Sequence, residues 1–131
     1  MNELDQALYS HLNVATVTAL ATGGVHNTLA RQGAACPYVV FQKASEEFRY
    51  LGPGTVATFL YLVKGISDQL GPAQAGSVDS RVRDRLQCGT LSVTGWTLAD
   101  CRRETGVFYR EGDSPGYWHA GAYYRIVLGN P

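Results

Sequence analysis

One long apolar strand pattern limits how this chain can fold. Residues 55–66 read TVATFLYLVKGI and are rich in β-branched and aromatic residues. Strand alternation places Val56, Thr58, Leu60 and Leu62 on one face, and Ala57, Phe59, Tyr61 and Val63 on the other. Because both faces carry apolar bulk, the pattern predicts a central strand covered on both sides, or one whose second face is covered by another subunit.

Helical patterns lie on either side of this strand. Residues 2–13 predict an amphipathic helix whose apolar stripe is Leu4, Leu8 and Leu12, and residues 14–20 predict a second short helix. Residues 72–87 predict another helix, with Pro72 in its first turn. Its apolar stripe consists of Ala75, Val78, Val82 and Leu86. Within it, the spacing predicts an i,i+4 ion pair between Asp79 and Arg83.

The remaining apolar segments are short and predict further strands. These are residues 38–44, 91–96, 101–109 and 117–128, with residues 25–31 as a connector or short strand. Residues 45–54 and 110–116 are rich in turn formers and charge, and they predict exposed hairpin tips. This order predicts one α+β domain over residues 1–131: a mainly antiparallel sheet of four to five strands with two helices packed on one face.

Composition excludes several classes of protein. Eleven basic and eleven acidic residues give a formal net charge of zero, which argues against a dedicated nucleic-acid binder and does little to keep copies apart. The widely spaced Cys36, Cys88 and Cys101 do not predict a disulfide framework or a zinc ribbon. No apolar run is long enough to cross a membrane, and the acidic N-terminus is unlike a signal peptide, so we expect synthesis and folding in a cytoplasm.

No catalytic, cofactor or metal motif stands out. The sequence has no HExxH, no calcium loop and no phosphate-binding glycine loop, so we expect no catalytic, cofactor-binding or metal site. His119 lies in an aromatic cluster, which is typical of strand packing or of an interface. Arginines alternate with acids, and this predicts a salt-bridged surface or subunit interface more than a phosphate site. The residues concerned are Arg81, Arg83, Arg85, Arg102 and Arg103, with Asp79, Asp84, Asp100 and Glu104.

Four segments together resemble a known family. They are ALYSHL with VTAL in residues 7–20, RQGAACPYVVFQ in residues 31–42, SVDSRVRDRL in residues 77–86, and ETGVFYREGD with GAYYRIVL in residues 104–128. Over nearly its whole length the chain resembles the tail terminator, or tail-completion, family of long-tailed bacteriophages.

The resemblance implies a structural protein of the virion and not an enzyme. It implies a closed homo-oligomeric ring, usually a hexamer, at the head-proximal end of the tail tube, assembled in the host cytoplasm. The ring stops tube polymerisation and joins the tail to the neck of the capsid. Its expected partners are further copies of itself, the tail tube protein and a neck or head-completion protein. DNA passes through its pore without specific binding, and no membrane or cofactor is involved.

The predicted loop tips are the candidates for contacts along the ring axis or between subunits. At one tip these are Glu46, Glu47, Phe48, Arg49 and Tyr50, and at the other Arg110, Glu111, Asp113, Tyr117 and Trp118. Ordinary solvated hairpin tips would have the same composition.

Three other functions fit the same residues. The first is another neck connector or a tail-tube-related ring protein, of which the tube protein would polymerise without limit. The second is a small cytosolic α+β enzyme that uses His119 or a carboxylate. The third is a binding module that remains a monomer at all concentrations.

Overall fold

The fold is a five-stranded open sheet with helices on one face, and the predicted α+β class is confirmed. The computed structural model describes residues 2–87, 90–112 and 116–130. Its elements, in chain order, are α1 (Asn2–Leu12), α2 (Ala15–Thr18), β1 (Val25–Asn27), β2 (Tyr38–Leu51), β3 (Gly54–Ser67), α3 (Ala73–Leu86), β4 (Thr97–Glu111) and β5 (Tyr117–Asn130).

The sheet is built around β3 and has the strand order β1-β2-β3-β5-β4. Only β1 and β2 are parallel, and β1 pairs with just three residues of β2, Val39 to Phe41. The other neighbours are antiparallel over most of their length. The outer edge of β2 therefore has no strand beside it after Phe41 within the described part of the chain, and β4 forms the opposite edge.

The hydrophobic core lies between the helices and one face of the sheet. It contains Leu4, Leu8 and Leu12 of α1, Val78, Val82 and Leu86 of α3, and Phe59, Tyr61, Tyr124, Ile126 and Leu128 of the sheet. The two apolar stripes predicted from helical spacing are the buried residues of α1 and α3. The buried Tyr61 hydroxyl donates a hydrogen bond to the Asp5 carboxylate, and burial together with this bond raises the pKa of Tyr61.

Two glycines allow close approaches, one between neighbouring strands and one between the sheet and α3. A Cβ atom on Gly121 would lie 2.1 Å from the carbonyl oxygen of Val63, so only glycine lets β5 approach β3 so closely at this point. A Cβ atom on Gly65 would lie 2.6 Å from a Val78 methyl carbon, so α3 rests on bare backbone there.

From Val56 to Leu62, the face of β3 that carries Leu60 is only half-buried by the described part of the chain. The prediction of cover on both sides within one chain is therefore wrong for this stretch. Ala57, Phe59, Tyr61 and Val63 are buried, whereas the residues that alternate with them along β3 are only half-buried. From β3, the core contains only the residues of the face that carries Phe59 and Tyr61.

Two loop and strand predictions are also corrected. Residues 45–51 continue β2 because they pair with β3 down to Leu51 and Gly54, which leaves only Gly52 and Pro53 in the turn. Residues 91–96 form no strand. Leu91 and Val93 are buried against the core, and a turn follows at Gly95, whose φ is 82°. Alternate burial in an irregular segment therefore imitates the strand pattern.

Candidate assembly surfaces

The open face of the sheet carries an apolar centre with charges towards both edges. Half-buried Leu60, Leu62, Tyr123 and Val127 occupy the centre on β3 and β5. Glu47 and Arg49 lie on the β2 side of this face, and Asp100, Arg102 and Glu104 on the β4 side. Among the described residues of this face acids and bases alternate, so these residues form no extended patch of one sign.

Ion pairs already order the β4 side of the open face. The Arg102 guanidinium contacts the Asp100 carboxylate at 2.7 Å, and Arg125 contacts Glu104 at 3.0 Å. The bond from Arg125 lowers the pKa of Glu104, which keeps that carboxylate ionised. These contacts confirm the prediction that the arginines here form salt bridges.

A second arginine of β4 belongs to the covered face. The Arg103 guanidinium forms two hydrogen bonds to the Asp79 carboxylate of α3, at 2.9 and 3.0 Å, and donates another to the Tyr124 hydroxyl. The bond to Asp79 is the main reason why the pKa of Arg103 is raised. Asp79 therefore pairs across the fold with Arg103, and the predicted helical pair with Arg83 is wrong.

One end of the sheet is the β2–β3 turn, and it exposes two large side chains. Tyr50 is 77% exposed and Leu51 is 57% exposed. Phe48 lies further up the strand, where its ring makes an edge contact with Phe59. All five predicted contact residues, Glu46 to Tyr50, belong to strand β2 and not to a loop tip, so their predicted placement is corrected. Their predicted role in assembly stays a prediction.

The opposite end of the sheet presents an exposed surface of apolar and aromatic side chains. Leu70 is 94% exposed and Phe108 is 58% exposed, and the Phe108 ring lies against Trp118 with their centroids 5.3 Å apart. Trp118 also donates from Nε1 to the Leu70 carbonyl oxygen. Sequence reasoning missed Leu70 and Phe108, because an exposed apolar side chain has the same appearance in a sequence as a buried one.

The predicted residues at this end lie mainly in strands. Arg110 and Glu111 end β4, while Tyr117 and Trp118 begin β5, so the predicted loop over 110–116 is shorter than expected. Asp113 lies outside the described residues. The structure therefore brings Glu111 and Tyr117 together as a directly opposed pair, and it sets Arg110 opposite Trp118.

His119 is the buried titratable group of the open face. Its Nε2 lies 3.2 Å from a Glu111 carboxylate oxygen, and its ring stacks on Tyr109 with centroids 4.5 Å apart. Burial, together with the nearby Lys64 ammonium, lowers the pKa of His119 despite the opposing effect of Glu111. The Lys64 ammonium in turn donates a hydrogen bond to the Tyr109 hydroxyl at 2.8 Å. Lys64, Tyr109, His119 and Glu111 therefore form one connected cluster.

Other side chains that could act in catalysis or bind a ligand include His11, Arg85 and Cys36, and their contacts are structural. A groove of about 380 Å³ beside α1 contains His11 and Arg85, but the Arg85 guanidinium donates to the His11 carbonyl and joins α3 to α1. Burial and the Asp68 carboxylate raise the pKa of the Cys36 thiol, which opposes thiolate formation. Within the described ranges, no three His, Cys, Asp or Glu side chains are placed to bind a metal ion together. No helix in those ranges is long and apolar enough to cross a membrane.

Comparisons with known proteins show that the chain is similar to components of virus-like particles. The family model "Tail completion protein gp17" matches residues 6–129. A chain in a solved structure titled "Virion of native gene transfer agent (GTA) particle" is similar in fold, with a TM-score of 0.80 at 20% sequence identity. That match covers 97% of this chain and 95% of the other. No curated protein sequence matches.

Proposed function

Because the chain belongs to the Tail completion protein gp17 family of structural virion tail proteins, we propose that it is the tail terminator. In this role, copies of the chain form a closed ring of about six subunits at the head-proximal end of the tail tube. The ring stops the tube from growing and offers the surface that joins the tail to the neck.

The observation that carries this proposal is the open sheet with two dissimilar edges. β2 beyond Phe41 and β4 lie at opposite edges, and they run antiparallel to each other. Head-to-tail rings need two different complementary surfaces on each subunit, and an edge strand is a ready template for pairing. A rotation that carries one edge onto the other keeps the antiparallel direction, so successive copies can extend one sheet.

Such a ring places the helix layer outward. The helices cover one face only, and the thicker layer has more room on the outer circumference of a closed sheet. The open face then lines the channel, where acids such as Glu47 and Asp100 alternate with bases such as Arg49 and Arg102. An interleaved lining lets DNA pass without a continuous basic surface that would hold it.

The two exposed ends of the sheet are the candidates for axial contacts. The turn end offers Tyr50 and Leu51, and the opposite end offers Leu70, Phe108 and Trp118. Aromatic side chains are enriched in the centres of protein interfaces, so those that are exposed on a single subunit are candidates for contacts. One end would bind the last ring of the tail tube, and the other would bind the neck protein.

Mass measurement in solution tests this function first. The purified protein is examined by light scattering and negative-stain imaging, alone and with tail tube protein. We expect closed rings, formed alone or on the tube ends, and tubes that stop growing when the protein is added. Unlimited tubes of the protein itself would identify a tube subunit. A monomer that ignores tube protein would overturn the proposal.

Two matched substitutions then separate the axial ends. Tyr50→Asp and Phe108→Asp each place a charge on an exposed aromatic position, so neither should unfold the protein. We expect one variant to lose tube capping and the other to lose neck joining, while both still form rings. Normal capping and joining by both variants would remove the sheet ends from the proposal.

A further inference from the structure

The two edges of the sheet carry charge patterns that are complementary between copies. We propose that β2 of one copy pairs antiparallel with β4 of a second copy, in the register that sets Glu47 against Arg102 and Arg49 against Asp100. This pairing rests on the proposed ring, and it names the surface and the contacts by which the ring closes.

The exposed part of β2 lies at the same end of the sheet as the first half of β4. Every β2 residue from Gln42 to Leu51 is exposed, and β1 reaches only as far as Phe41. On β4, the Gln87 side-chain oxygen accepts a hydrogen bond from the Arg103 backbone N–H at 2.6 Å, so that position is partly occupied. The stretch below it, residues 97–102, is level with residues 45–49 across the sheet.

Cross-strand register places the four charged side chains on one face. Glu47 lies opposite Thr58, which is followed across the sheet by Val127 and Asp100. Arg49 lies two residues after Glu47 on β2, and Arg102 lies two residues after Asp100 on β4. Strand alternation therefore keeps both arginines on the same open face. When β2 of one copy lies beside β4 of a second copy, the charged side chains of both strands therefore lie on the same side of the joint sheet.

The sign pattern selects one register. If a second copy joined with its edge at the same level, Glu47 would face Asp100, and two carboxylates would repel each other. A shift of two residues sets Glu47 against Arg102 and Arg49 against Asp100, so both contacts become attractive. Closing a sheet on itself requires such a stagger between strands.

One half of this arrangement is already present in a single copy. The 2.7 Å contact between Arg102 and Asp100 holds two of the four groups together on β4. Addition of Glu47 and Arg49 from the second copy would give an alternating row of acid, base, acid and base. An isolated exposed pair contributes little, whereas several charges joined in a network have a larger effect.

Charge reversal at the two edges tests the pairing. Glu47→Arg alone would set two guanidinium groups against each other, and Arg102→Glu alone would set two carboxylates against each other. We expect each single variant to associate at least about tenfold more weakly than the wild type. A one-to-one mixture of the two variants lets each altered edge meet a partner edge of opposite charge, so it should form rings more readily than either variant alone. Asp84→Arg, on the exposed side of α3, is the matched control and should assemble normally.

The outcomes separate this pairing from the ring function. Assembly is followed by light scattering and sedimentation, alone and with tail tube protein, after circular dichroism has shown that each variant is folded. The double variant Glu47→Arg with Arg102→Glu restores opposite charges at every interface. Weak single variants and a restored double variant support the pairing. Single variants that form rings as well as the wild type, or a double variant that is not restored, would overturn it and leave the ring intact. A wild type that never assembles would overturn both.

Discussion

The two faces of the sheet are made by the same strands but have different environments. On the covered face, Phe59, Tyr61 and Leu128 are fully buried under the helices. On the other face, Leu60 and Leu62 of β3 are only half-buried, and ion-paired residues such as Arg125 lie beside them. The comparison teaches that apolar alternation on both sides of a strand does not imply a core on both sides. One side holds the domain together, and the other stays half-buried without helices over it.

Truncation of a leucine on the covered face should have the largest effect on stability. Leu128→Ala removes a side chain that is 0% exposed and leaves a cavity between β5 and the helices. We expect the free energy of unfolding to fall by about 2–5 kcal/mol. Urea unfolding followed by circular dichroism measures the change. A loss below about 1 kcal/mol would show that the covered face is not packed as a core.

Loss of the anchor between α3 and the covered face should have the next largest effect. Asp79→Ala removes both hydrogen bonds to the partly buried Arg103 guanidinium, which would remain beside Tyr124. We expect a loss of about 1.5–3 kcal/mol, because hydrogen bonds to charged groups are stronger than neutral ones. Asp84→Ala on the same helix is the control, since its contact with Arg83 spans 3.9 Å and is exposed. Equal stability of the two variants would contradict the anchor.

Truncation of a leucine on the open face should cost much less. Leu62→Ala changes a half-buried side chain that the described helices do not cover, so we expect a loss below about 1 kcal/mol. The same variant should also form rings normally if the edges carry the contact. The urea midpoint and the mass in solution are measured together. Lost assembly with normal stability would show that this face is itself the interface between copies.

The smallest effect concerns protonation of His119 on the open face. Because its folded pKa is lowered, the unfolded chain binds more protons below about pH 6.5. The neutral His119 imidazole therefore makes its full contribution to the free energy of unfolding above that pH. This contribution is lost as the pH falls from the pKa of the unfolded chain towards the lower pKa of the folded one. We expect the urea midpoint to fall between pH 7.5 and 5.5, and to fall less in His119→Gln. Identical pH profiles of the two proteins would contradict this assignment.

Local patterns predicted the parts of the fold that depend on local chemistry. The leucine stripe of α1 and the apolar stripe of α3 are buried as their spacing indicates. β3 lies at the centre of the sheet, as its apolar residues on both faces predicted. The family resemblance is also confirmed, because the family model matches residues 6–129.

Long-range partners explain the predictions that failed. Residues 45–51 contain charges that suggest a loop, yet they form a strand because β3 offers a continuous antiparallel partner. Asp79 has a suitable arginine one helical turn away, but Arg103 reaches it in a bidentate geometry from β4. Neither competition can be judged from sequence spacing, since the winning partner is distant along the chain.

By itself, the sequence determined the class of fold, the buried stripes of its helices and its family, because each depends on residue type at fixed spacing. The tertiary structure alone decided which face of β3 lacks cover, and it placed Glu47, Arg49, Asp100 and Arg102 on a single face at opposite edges. Cross-strand register sets these positions, and register depends on contacts between segments that are far apart in the chain.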